Sequence, residues 1–308
     1  MKNSRICFAG TPEFAIPVLE MLVKEAEVPL VITMPDKKRS RGKISPTPVK
    51  QRAMELGIDV ITPDNVNDPA VLEQLRAYDF DFIVEVAYGK LLKPEFLALA
   101  PDRVLNVHPS LLPKYRGAAP LVWPILAGDE ESGTSIMLVD EGMDTGDVLY
   151  QTRIDIRGMN AQTLHDVLAE DGAKALKTVL DDYESYYRSR MTQTEPSSYA
   201  KKIEKEMGAL DFKEPAEILL RKVRGLNPRP GTYFHINEKR MQVLSMEPLD
   251  ESAEAPPGTV YRADETGIYI NTATVPVRIT RVKPAGKKEM TAADYLRGNP
   301  IQIPVSLH

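Results

Sequence analysis

Along the first 180 positions the hydrophobic residues keep two alternating rhythms. The runs "RICFAG", "LVITM", "IDVIT", "DFIVEVA", "VLNVH" and "TSIMLVD" are five to seven residues long and mostly apolar without a break. Such runs are expected of strands buried on both faces. Between them lie "FAIPVLEMLVKEAE", "PVKQRAMELG", "PAVLEQLRAY" and "AAPLVWPILAG", which read as helices. Strand and helix in alternation predict an α/β domain, a doubly wound, mostly parallel sheet covered on both faces. From Ala161 to Ser189 apolar positions recur at i, i+3, i+4 and i+7 and predict one long closing helix. His165 falls inside it and reads as a packing or surface residue.

The rhythm fails after about Arg188. "SRMTQTEPSSYAKKIEKE" is polar with no sustained period, so residues 189–204 read as a linker between a domain of residues 1–188 and a second one of 205–308. In the second, "EPAEILLRKVRGL" predicts a helix. "TYFHI", "RMQVLSME", "GTVYRA", "GIYINTA" and "VPVRITRVK" then predict short strands at regular spacing, as in a small barrel or sandwich.

Composition changes this picture in three places. No run approaches the roughly 18 to 20 apolar residues that span a bilayer, and "MKNSRICFAG" has no apolar signal core, so a cytoplasmic protein is expected. Cys7 is the only cysteine of the 308 residues, which excludes an internal disulfide and a cysteine-based metal site. The net charge is −5, yet residues 37–52 hold Lys37, Lys38, Arg39, Arg41, Lys43, Lys50 and Arg52 with no acid, leaving −12 for the rest. Pro35, Gly42, Pro46 and Pro48 make this basic stretch an exposed loop, and a basic loop on an acidic body points to an anionic partner.

Candidate chemistry follows the strands. "FAGTPEF" has the glycine of a strand-to-helix turn but not the further glycines of a dinucleotide fingerprint, which argues against a nicotinamide cofactor. In "NVHPSLLPKYRG", Asn106 and His108 are two residues apart on an extended segment and point the same way. An amide N–H can donate to a developing oxyanion, and an imidazole exchanges protons near neutral pH. In "DEGMDTGD", Asp144 lies between glycines at another strand end, where a carboxylate could orient His108 and stabilise its protonated form. Neither a serine or cysteine nucleophile motif nor a metal-ligand cluster accompanies them. The chemistry implied is attack of a substrate's own nucleophile on a carbonyl.

"NVHPSLLP" with the downstream "DTGD" resembles the folate-dependent formyltransferases. "FAGTPEFA", "PDKKRSRGK", "PTPVK", "VAYGKLL", "KYRGAAP", "NPRPGTYF" and "KPAGKKEM" extend the resemblance over the whole chain, to the branch of that family acting on methionyl-tRNA. It implies a Rossmann-like catalytic domain, an OB-like C-terminal β-barrel that binds tRNA, and transfer of the formyl group of 10-formyltetrahydrofolate to the α-amine of initiator methionyl-tRNA, without a metal. By position, it assigns catalysis to Asn106, His108 and Asp144, and tetrahydrofolate contact to Ser110, Leu111, Leu112 and Pro113. Residues 86–92, with Tyr88 and Gly89, and the loop 140–144 would line the pteridine pocket. Arg39, Arg41 and Lys43 would meet the tRNA acceptor stem, with Arg41 as the wedge and Lys43 on a phosphate. A monomer is the family expectation. Two residues depart from the branch: Pro109 replaces an expected glycine or alanine, and Glu85 replaces an apolar residue, which predicts a carboxyl either buried with a raised pKa or facing a polar group. A formyltransferase acting on an amino sugar or another small amine, a tetrahydrofolate hydrolase that presents water in place of the amine, and a catalytically inactive tRNA-binding module are the rival readings.

Overall fold

The computed structural model describes residues 1, 3–38, 44–194, 196–236 and 238–307. They form two compact units: residues 1–120, 131–155 and 165–200 in the first, and 121–130, 156–164 and 201–308 in the second.

The first unit is built on seven strands, β1 (Arg5–Gly10), β2 (Glu27–Ile32), β3 (Asp59–Ile61), β4 (Phe82–Val86), β5 (Val104–His108), β6 (Ser135–Leu138) and β7 (Val148–Gln151), in the order β7-β6-β5-β4-β1-β2-β3. The pairs from β3 to β5 are all parallel, while β6 runs antiparallel to β5 and β7 antiparallel to β6. Helices α1 (Ile16–Glu25), α2 (Pro48–Glu55) and α3 (Pro69–Arg76) connect the parallel strands; Thr47 and Asp68 cap the last two by accepting from Lys50 N and Ala70 N. The core on one side of the sheet combines Cys7, Ala9, Leu30, Ile32 and Ile83 with Leu72, Leu75, Tyr88 and Phe96. The long helix expected from Ala161 divides into α4 (Ala161–Asp181) and α5 (Tyr183–Arg188), because Asp182 leaves helical geometry at φ −143° and ψ 52°. Apolar periodicity continues across the break, which is why the sequence does not reveal it. β7 is also new relative to the sequence reading: "VLYQ" is four residues long with two of them only partly buried.

In the second unit, α6 (Ala216–Leu226) buries Ala216, Leu219, Val223 and Leu226 along one stripe. It packs on an antiparallel sheet of β8 (Thr232–Ile236), β9 (Lys239–Pro248), β10 (Thr259–Asp264), β11 (Gly267–Ile270), β12 (Val277–Pro284) and β13 (Val305–Ser306), ordered β8-β9-β12-β11-β10-β13, with Met290–Thr291 added to β12. Register shifts between β9 and β12 curl the sheet around Phe234, Val243, Val260, Ile268, Ile279 and Val282. The edge strands β8 and β13 do not pair with each other among the described residues, so the expected small barrel is an open, OB-like half-barrel. No helix among the described residues is long and apolar enough to cross a membrane.

Candidate active site

β5 carries the first two candidate residues because both its faces are covered. Its whole span from Val104 to His108 is buried. Val107 points at α4, which can approach only because residue 172 is a glycine: a Cβ there would lie 2.8 Å from Val107 Cγ1. Asn106 and His108 occupy the alternate parity, at 9% and 4% exposure. Their neighbours in the sheet are Glu85 on β4, opposite Asn106, and Met137 and Ser135 on β6, opposite Asn106 and His108.

Asp144 reaches the same place from a loop. Its φ of 55° is in the left-handed region that non-glycine residues seldom adopt, so its position is held by contacts from outside the loop. Gly117 N donates to Asp144 Oδ2 at 2.7 Å, and Asn106 Nδ2 donates to Oδ1 at 3.5 Å. Gln193 Nε2 donates to the carbonyls of Asp144 (2.9 Å) and Gly146 (2.8 Å), and Arg116 Nε in turn donates to Gln193 Oε1 (2.9 Å). Asp140 Oδ1 closes the loop on itself by accepting from Gly142 N and Thr145 Oγ1.

The imidazole tautomer follows from the same geometry. His108 Nε2 lies 3.0 Å from Tyr115 O, and a carbonyl only accepts, so Nε2 carries the proton. Nδ1, 3.7 Å from Asp144 Oδ1, is then a free lone pair. Burial pulls the imidazole below its ordinary range, against the opposing pull of Asp144 and Tyr115 O. The resting ring is neutral, not protonated as the neighbouring aspartate alone would suggest: removal from water outweighs the nearby carboxylate. An amide donor, a neutral base and a carboxylate thus meet at one strand end, a set suited to acyl transfer between two bound substrates.

Around this centre the other sequence candidates behave unequally. Ser110 is fully buried; its Oγ donates to Lys114 O (2.7 Å) and its carbonyl accepts from Ser135 Oγ (2.6 Å). Leu112 packs with Met137 and Val148, and Ser135 and Gln151 satisfy its backbone. These two hold the loop, while Leu111 and Pro113 keep accessible surface. The ring of Tyr88 is in the core beside Cys7, where burial raises its hydroxyl to about 12 and leaves Oη without a hydrogen-bond partner. Only its backbone faces the strand end, in a turn where Ala87 has φ 48° and Gly89 φ 95°. Tyr88 N donates to Glu85 Oε1 at 2.6 Å. Glu85 meets both alternatives raised for it: burial lifts its carboxyl to about 7, assisted by Asp144 and opposed by the Tyr88 N–H, and it faces a polar group.

Of the basic stretch, Lys50 pairs with Asp36 (2.7 Å), and Arg52 pairs with Glu20 (2.7 Å) and Glu55 (3.0 Å). The seven positive charges therefore include two that anchor α2. Lys37–Lys38 and Ile44–Ser45 form an antiparallel strand pair; Arg39, Arg41 and Lys43 lie outside the described residues. His165 stacks edge-on against Phe14, as a packing residue. Among the described residues no group of three or more His, Cys, Asp or Glu could hold a metal ion.

Sequence reasoning missed Gly117, Tyr115 and Gln193. Gly117 and Tyr115 lie within the quoted "KYRGAAP", but Gln193 falls in the segment read as linker. That segment joins the first unit at two places: Met191 bridges Val148, and Tyr199–Ala200 pairs in parallel with Arg116–Gly117.

Comparison with known proteins adds to this geometry. Residues 4–180 match the family described as formyl transferase, and residues 202–300 match the formyl transferase C-terminal domain. A methionyl-tRNA formyltransferase of Finegoldia magna is 44% identical over 303 residues, covering 97% of each chain. Another, of Thermus thermophilus, is 40% identical over 296 residues, covering 96% of each. Among solved structures, the sugar 3N-formyl transferase WlaRD, determined in the presence of dTDP and 5-N-formyl-THF, aligns over 92% of this chain and 99% of its own with a TM-score of 0.66 at 19% identity, a likeness of fold.

Proposed function

The chain belongs to the methionyl-tRNA formyltransferases of the formyl transferase family, and from that premise we propose that Asn106, His108 and Asp144 carry its reaction. The enzyme transfers the formyl group of 10-formyltetrahydrofolate to the α-amine of the methionyl moiety of initiator methionyl-tRNA. The observation that carries the residue assignment is the convergence of Asn106 Nδ2 and His108 Nδ1 on one oxygen of Asp144, at 3.5 and 3.7 Å.

The amine nitrogen attacks the formyl carbon, and the carbonyl electron pair moves to oxygen, where Asn106 Nδ2–H stabilises the negative charge. His108 Nδ1 takes the proton released by the new ammonium. The resulting imidazolium lies beside Asp144, which offsets the cost of a charge in a buried site. The same proton then passes to N10 of the folate as the C–N10 bond breaks, giving formylmethionyl-tRNA and tetrahydrofolate. The folate lies along the turn 86–89, against Leu111 and Pro113, and the loop 140–144. Ser110 and Leu112 hold that shelf from behind.

Arg39, Arg41 and Lys43 contact the acceptor stem, and the enzyme works as a cytoplasmic monomer. Incubation of purified protein with 10-formyltetrahydrofolate and methionyl-tRNA should place formyl on the aminoacyl ester; formyl appearing only as free formate would favour a hydrolase. Replacing Arg39, Arg41 and Lys43 together by alanine should weaken tRNA binding and flatten its salt dependence, by roughly one counterion for each phosphate no longer neutralised, with folate affinity unchanged. An unchanged slope would move the tRNA-binding surface elsewhere.

A further inference from the structure

Seven large apolar side chains are exposed among the described residues, and two of them touch each other beside Asp144. Met143, the residue preceding Asp144, is 54% exposed, and Tyr199 is 52% exposed. Tyr199 Oη donates to Met143 Sδ at 2.8 Å. The same tyrosine ring lies over Gly117, so close that a Cβ on Gly117 would fall 2.8 Å from it, and the Gly117 amide is the donor that holds the Asp144 carboxylate. The pair therefore flanks the catalytic carboxylate on its open side.

We propose that Met143 and Tyr199 form the recognition surface for the side chain of the acceptor amino acid. This inference rests on the functional reading above. The reacting amine and the side chain leave the same α-carbon, so with the amine at His108 the side chain must lie within a few bond lengths of the Asp144 loop. Arg116 and Gln193, two long polar side chains there, are engaged: Arg116 donates to Gln193, and Gln193 to the loop carbonyls. Apolar surface comes from Met143 and Tyr199. A thioether next to an aromatic ring fits an unbranched, polarizable methionyl chain, since sulfur packs well against ring edges and against another thioether. The one hydroxyl of this surface, Tyr199 Oη, spends its proton on Met143 Sδ, so the selection is chiefly one of apolar contact and length.

The experiment compares kcat/KM for initiator tRNA charged with methionine and the same tRNA charged with alanine, in wild type, Met143→Ala, Tyr199→Ala and Tyr199→Phe. Removing one apolar wall should lower the methionine-to-alanine preference on the order of tenfold in each alanine variant. Tyr199→Phe, which keeps the ring, should retain most of it. The ratio cancels any general loss of catalytic geometry, so a disturbed Gly117 cannot imitate the result. An unchanged ratio overturns the proposal, as does an effect confined to KM for 10-formyltetrahydrofolate, which would give the pair to the folate pocket. A wild type that formylates neither tRNA overturns the functional reading, and this inference with it.

Discussion

Asn106 and His108 on β5 reach the site by regular structure, whereas Asp144 reaches it by exception. The strand pair needs only an extended backbone, a β4 neighbour on one side and a β6 neighbour on the other. The aspartate needs a left-handed backbone, glycines on either side, an amide from Gly117 and a side chain from Gln193, 49 residues away. A strand end gives permanence of position. A loop held from several directions can instead be shaped to its ligands without disturbing the sheet.

The sharpest way to separate the two is to remove one chemical group from each. His108→Ala should lower kcat by about 10² to 10⁴ with folding intact, because it deletes the base outright. Asp144→Asn keeps the hydrogen bond from Gly117 but removes the charge that stabilises the imidazolium, and should fall in the lower part of that range. Steady-state kinetics with both substrates saturating would check this. Near-wild-type turnover in either variant would remove that residue from the mechanism.

What the sequence allowed to be read follows the same division. β5 was legible because strand parity is a local property: an asparagine and a histidine two apart after an apolar run can only share a face. The mostly parallel sheet and the run of short C-terminal strands were legible for the same reason, as sums of local periodicities, whereas the open edge that makes the expected barrel a half-barrel was not. Asp144 was legible as a glycine-flanked aspartate, but its geometry was not, since Gly117 and Gln193 are remote in the chain. Gln193 lies where hydrophobic periodicity is silent and composition suggests only a linker; a side-chain amide that serves two carbonyls leaves no periodic trace. The neutral state of His108 was not legible because burial, which dominates it, is a property of the packed fold.

Gln193 tests the loop half of the comparison at intermediate strength. Gln193→Ala removes donors to Asp144 O and Gly146 O and strands Arg116, while leaving Asn106 and His108 in their strand. The loop should sample more than one position, with kcat down about tenfold, of the order of one buried hydrogen bond removed from the correct geometry. Gln193→Glu, which keeps the Arg116 partner but presents oxygens to carbonyls, should be no better. If both variants match wild type, the loop is held without this side chain.

Glu85 couples the two halves and gives the smallest effect. It faces Asn106 across the sheet, and its raised carboxyl feels Asp144 through the site. In the unfolded chain this group releases its proton near its ordinary value of 4.5, but in the fold only at about 7. Between those values the folded state binds more protons, so Glu85 makes stability fall as pH rises, and above about 7 the penalty is complete. His108 acts oppositely: held neutral by burial, it adds stability as pH rises through the ordinary imidazole range. The wild-type profile sums both slopes, and Glu85→Gln isolates one, because the amide oxygen still accepts from Tyr88 N while the titration is gone. Chemical unfolding should show the variant close to wild type at about pH 5 and about 1 to 2 kcal/mol more stable relative to it at about pH 8, below the limit for full burial because the carboxyl keeps some contact with water. A difference that does not change between the two pH values would mean that Glu85 titrates in the fold as it does in the unfolded chain, and that its burial does not raise it.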